Sequence, residues 1–123
     1  MEATFWEETD LIYAYTRAQA IADGELVDVS ETAREAGFRF PVAVTRALWA
    51  LIEQLTKHED TAGRLWDVLW MASIAARRHG GSHIQFDLHL TDDGRKKLQT
   101  LKMLCGPGDD SRPVITIMFP EED

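Results

Sequence analysis

Apolar residues recur at spacings of three and four along the first two thirds of the chain, and at a spacing of two near the end. Leu11, Tyr15, Ala18 and Ala22 share one helical face behind Thr9 and Asp10, which are capping residue types. Gly24 supplies a stop, so the pattern predicts a first helix over 10–22. Glu25–Val29 alternates polar and apolar over too few residues for a helix and reads as an edge strand. Ser30 is placed to cap a short helix through Glu35, stopped at Gly37. Phe38 and Phe40 precede Pro41, a residue that suits a first helical turn. Val44, Leu48, Leu51, Ile52 and Leu55 then form a stripe, which predicts a helix over 41–56. Trp49 lies about 100° from Leu48, at the edge of that stripe.

Lys57–Gly63 is a polar joint, within which Asp60 or Thr61 can cap a helix over 62–78. Leu65, Trp66, Val68, Leu69, Trp70, Met71 and Ile74 cover most of its circumference, so this helix is expected to be central and buried. Arg77, Arg78 and His79 complement its C-terminal dipole, and Gly80-Gly81 ends it. The period then changes. Ile84, Phe86, Leu88 and Leu90 alternate with His83, Gln85, Asp87 and His89, as in a strand with one buried face. Thr91-Asp92-Asp93-Gly94 is turn chemistry. Arg95–Cys105 is mixed and fits either a strand or a helix. Gly106–Asp110 reads as a loop, and Val114–Phe119 as a strand ended by Pro120. Helices followed by a meander predict an α+β fold in a single domain over 1–123. About four helices, one of them central, would pack on a small antiparallel sheet drawn mainly from the C-terminal third.

Composition narrows the function classes. A chain of 123 residues that is 45% hydrophobic can form one core without disulfides, and Cys105 is its lone cysteine, as in a reducing compartment. No apolar run reaches the about 18 residues of a membrane span, and the acidic start MEATFWEETD is unlike a secretory signal, so a cytoplasmic protein is expected. The net charge of −8 sits at the ends, −4 in residues 1–10 and −4 in 106–123, around a neutral body. That distribution disfavours direct nucleic-acid binding. It suits either solubility or contact with a basic partner, including imitation of nucleic acid on a nucleic-acid-binding protein.

The candidate chemistry is sparse. His83, Asp87 and His89 share a strand face and are the best metal or acid–base set, yet four strand residues separate His83 from Asp87 by about 13 Å. That is too far for one tetrahedral ion without other ligands. A solvated strand face is the simpler reading of them. Cys105 has no evident base, and GPGDD lacks the lysine and helix of a phosphate loop and the ligand spacing of a calcium loop. Arg95, Lys96, Lys97 and Lys102 form a basic cluster without interleaved aromatics. No catalytic residue, metal ligand set or cofactor motif is assigned. Trp49, Trp66 and Trp70 are candidate interface anchors, of which Trp66 and Trp70 read rather as core residues. The residues singled out for an interaction surface are Trp49, Asp109, Asp110, Glu121 and Glu122.

The blocks YTRAQAIADGELVDVSETAREAGFRFPVAVTRALW, GRLWDVLWMA and CGPGDDSRPVITIMFPEED together resemble an uncharacterised family of small bacterial proteins carried by plasmids and integrative conjugative elements. The resemblance runs from about Asp10 to Asp123 and brings no catalytic residue with it. It implies an accessory protein of a mobile genetic element. The reading that follows is a non-enzymatic protein that binds a host nucleic-acid-handling or defence protein, such as an anti-restriction or anti-CRISPR inhibitor. The alternatives are a small hydrolase or metal-binding protein using His83, Asp87 and His89, and a structural homodimer.

Overall fold

The computed structural model describes residues 15–56, 60–92 and 94–122. The acidic segment 1–10, residues 10–14 of the predicted first helix, residues 57–59 of the polar joint, Asp93 of the predicted turn and Asp123 lie outside the described residues. Four helices and five strands are present among those described: α1 (Arg17–Ala22), β1 (Leu26–Asp28), α2 (Ser30–Glu35), β2 (Val42–Thr45), α3 (Arg46–Thr56), α4 (Thr61–His79), β3 (His83–Asp92), β4 (Arg95–Pro107) and β5 (Pro113–Met118). The fold is α+β, as the pattern predicts.

Local chemistry sets the boundaries. Thr16 is extended and caps α1 in a capping box with Gln19, so the helix begins at Arg17 rather than spanning Tyr15. Ser30 does not cap α2. It is the first helical residue, and its hydroxyl donates to Asp28 Oδ1 at 2.6 Å and accepts from the Val42 N–H at 3.0 Å, tying β1 to β2. Asp60, left-handed at φ 59°, caps α4 by accepting from the Gly63 N–H at 3.0 Å.

The predicted helix over 41–56 is corrected at its start. Residues Val42–Thr45 form a strand, every position of which is buried, and the helix begins only at Arg46. A strand covered on both faces shows no polar alternation, so its apolar run merged with the stripe of the helix that follows. Thr45 marks the true start of α3, because its Oγ1 accepts from the Leu48 N–H at 3.3 Å. The ambiguous segment after the turn is a strand, β4, of 13 residues.

The strand order is β1-β2-β5-β4-β3. The sheet is mixed rather than wholly antiparallel, because β2 runs parallel to β5, with Val42 opposite Ile115 and Val44 opposite Ile117. Leu48 and Ile52 of α3 and Leu65, Val68, Leu69 and Ala72 of α4 pack on the inner face. There they meet Val44, Ile84, Phe86, Leu88, Leu101, Met103 and Ile117. Among the described residues, α1 and the C-terminal tail cover part of the opposite face. Arg17 of α1 donates from Nη1 to Thr116 Oγ1 and from Nη2 to the Ile115 carbonyl, each at 2.7 Å. Glu122 folds back so that its Oε2 accepts from Thr45 Oγ1 at 2.8 Å and from the Phe119 N–H at 2.9 Å. On β3 the outward residues His83, Gln85, Asp87 and His89 are exposed.

Candidate functional site

Strand β3 ends the sheet, and its outer edge is the feature that stands out. Its pairing with β4 is unbroken over ten residue pairs, from His83 opposite Leu104 to Asp92 opposite Arg95. The Cys105 N–H donates to the Ser82 carbonyl at 2.8 Å, which fixes the phase of the ladder. Hydrogen-bonded and non-hydrogen-bonded pairs alternate in an antiparallel ladder. Ile84, Phe86, Leu88 and Leu90 therefore spend their N–H and C=O groups on β4. His83, Gln85, Asp87, His89 and Thr91 turn theirs to the outer edge, which among the described residues no other strand pairs. Natural edges of this length are usually blunted by lysine, proline or a bulge. Strand β3 has none of the three.

Helix α4 lies beside this edge and presents apolar side chains to solvent. Trp70 is 42% exposed and Met71 36%, although α4 is the central helix of the core. Its apolar circumference exceeds what the core can cover. The Trp70 ring is held in place. It stacks on Trp66 with centroids 5.9 Å apart and planes 15° from parallel, and the Arg77 guanidinium lies 5.7 Å from its centroid. Two open grooves follow the edge. One, of about 440 Å³, is lined by Asp67, Trp70, Met71, Leu88, His89 and Leu98. The other, of about 400 Å³, is lined by Met71, Ile74, Arg78, His79, Gln85 and Asp87. Leu98 of β4 is 59% exposed on the outer side of the same ribbon. A rigid tryptophan, two further exposed apolar side chains and a row of free backbone groups converge here.

The residues singled out from sequence are placed elsewhere or used internally. Trp49 is half-buried and packs against the core from α3. The Asp109 carboxylate accepts from the N–H groups of Arg17 and Ala18 at 2.9 and 3.0 Å and so anchors the start of α1. Asp110 pairs with Arg112 at 2.5 Å, and hydrogen bonds from that arginine hold its carboxyl below the usual carboxylate range. Glu122 clamps the tail to Thr45, and Lys102 Nζ donates to its carbonyl. Glu121 is exposed. Asp109, Asp110 and Glu121 are thus exposed, while Asp109, Asp110 and Glu122 also bond within the chain.

His83, Asp87 and His89 do share one exposed face, but they stand in line along about 20 Å of strand rather than around a point. Asp87 Oδ1 accepts from Thr100 Oγ1 at 2.5 Å, and His83 Nδ1 shares a 3.1 Å hydrogen bond with Ser82 Oγ. Among the described residues, no three histidine, cysteine, aspartate or glutamate side chains are grouped to hold a metal ion. Cys105 is half-buried against the margin of the core. Arg95, Lys96 and Lys97 are exposed at the far end of β4.

Sequence reasoning missed Met71, Leu98 and the edge itself, and read Trp70 as a core residue rather than an anchor. The available signal was the surplus of apolar residues around α4. Trp66 and Trp70 were both assigned to the core, whereas only Trp66 is packed against it.

Fold and edge together define an α+β domain with one open, apolar-flanked strand. The chain belongs to a family of unknown function, DUF6573, which it matches over residues 1–123. No curated protein and no solved structure matches it. Among the described residues, no helix is long and apolar enough to cross a membrane.

Proposed function

We propose that this protein acts by binding protein rather than by catalysis, and that the free edge of β3 with the adjacent face of α4 is the contact. The observation that carries this reading is the run of five outward-directed backbone positions, from His83 to Thr91, beside exposed Trp70 and Met71. An edge strand of this kind adds a strand from a partner, with backbone hydrogen bonds for affinity and flanking side chains for selectivity. The resemblance to proteins of plasmids and integrative conjugative elements supports a role as a cytoplasmic accessory of a mobile element. Blocking a host defence or nucleic-acid-handling protein would be one such role. The internal engagement of Asp109, Asp110 and Glu122 turns the contact away from acidic mimicry of nucleic acid and towards β3.

Two substitutions test the contact. His89→Pro removes an N–H that faces the free edge and leaves the ladder to β4 intact. Trp70→Ala removes the rigid aromatic anchor, a kind of truncation that costs about 2 kcal/mol or more at a binding hot spot, or about thirtyfold in affinity. In affinity capture with nuclease treatment, both variants should lose the protein retained by the wild type while keeping its circular dichroism spectrum. Glu121→Lys should retain it. Equal capture by all four proteins would refute the assignment.

A further inference from the structure

We infer that the occupant of this edge is a second copy of the chain, with β3 of each copy paired antiparallel about a twofold axis at Leu88. The inference rests on the reading of β3 as the contact edge and names its partner. Only registers that place odd-numbered residues opposite odd-numbered residues let the free N–H and C=O groups of both copies meet, because those residues alone face outward. A shift by one residue would also put each outer face against an inner one.

Charge and length of overlap together select among the allowed registers: an axis on Gln85 also sets His83 opposite Asp87, but it pairs only residues 83–87 of the strand, fewer than an axis nearer its middle. Centring the axis on Asp87 sets two carboxylates opposite each other, and centring it on His89 sets two imidazoles opposite each other. Centring it on Leu88 places Asp87 of each copy opposite His89 of the other, twice by symmetry, with Gln85 opposite Thr91. Asp87 Oδ1 is engaged by Thr100, which leaves Oδ2 to accept from an imidazole N–H. On the inner face the same register sets Leu88 against Leu88 and Phe86 against Leu90, so apolar residues continue across the axis. Trp70 and Met71 of α4 flank that axis on the inner side in each copy. The contact is isologous, the commonest kind in soluble oligomers, and it joins two five-stranded sheets into one continuous sheet. It also accounts for an edge without lysine, proline or a bulge.

Light scattering and sedimentation of the full chain across the micromolar range test this assignment. The wild type should be a dimer. His89→Asp sets like charges opposite each other at two symmetry-related positions and should raise the dimer dissociation constant about tenfold. The double variant Asp87→His with His89→Asp restores opposite partners in this register alone and should recover most of that loss. Both positions are exposed, and circular dichroism checks that each variant is folded. A wild type that stays monomeric, or a double variant no better than His89→Asp, would overturn the assignment. A monomer whose edge variants still lose the captured protein would overturn the second copy while leaving the contact edge in place. A dimer that survives both His89→Pro and Trp70→Ala would overturn the pairing itself.

Discussion

Leu69→Ala should lower the unfolding free energy by about 2–5 kcal/mol, the range for emptying a leucine site in a packed core. Leu69 is fully buried on the sheet-facing side of α4, in the cluster that joins this helix to both halves of the sheet. Its neighbours along the helix, Leu65, Val68 and Ala72, are fixed in the same cluster, so the cavity cannot close by a simple shift of one side chain. The measurement is urea unfolding followed by tryptophan fluorescence, with Leu98→Ala as reference. Leu98 is mostly exposed, and its truncation should change stability by about 0.5 kcal/mol or less. Equal effects at the two positions would contradict the orientation of α4 and of the β3–β4 ribbon.

Arg17→Met should cost about 1.5–3 kcal/mol, the range for hydrogen bonds made by a charged group. The guanidinium bridges Thr116 Oγ1 and the Ile115 carbonyl on β5, and its partial burial lowers its pKa from the ordinary arginine value. Methionine keeps the length and apolar stem but leaves both acceptors without that donor. The loss should be local as well as global. Amide exchange should quicken across Arg17–Ala22 and along β1, which α1 covers, and change little in α4. A variant as stable as the wild type, with α1 unchanged in exchange, would show that α1 is held to the sheet by other means.

The sequence pattern read α4, β3 and β5 correctly because each is a local periodicity. Ile84, Phe86, Leu88 and Leu90 occupy the inner face of β3 as alternation requires, and the stop at Gly80 and the cap at Asp60 are single-residue signals. Strand β2 was not legible. Its neighbours are β1 and β5, and the pairing of Val42 with Ile115 that makes it a buried central strand joins distant parts of the chain. The bonds that the acidic residues make within the chain were not legible for a related reason. Counting charge places Asp109 and Glu122 at a solvated end, while their partners, Arg17 and Thr45, lie 92 and 77 residues away. The candidate site was half legible. Its outer-face residues His83, Asp87 and His89 were picked out, but for their side chains rather than their backbone. Their side chains suggested chemistry, whereas the structure gives their backbone the open edge. Whether a strand is an edge depends on sheet order, which no local pattern encodes.

We infer that the odd-numbered backbone groups of β3 are free in the single chain and taken up by a partner strand in the dimer. Residue-resolved amide exchange of the wild type, followed from low to high protein concentration, reads both states. The amides of Ile84, Phe86, Leu88 and Leu90 should be protected at every concentration, because they bond to β4. Those of Gln85, Asp87, His89 and Thr91 should exchange freely in dilute protein and become protected together as it is concentrated. Odd-numbered amides that exchange freely at every concentration would contradict pairing with a second copy. Odd-numbered amides protected even in the dilute monomer would contradict the free edge on which the functional reading stands.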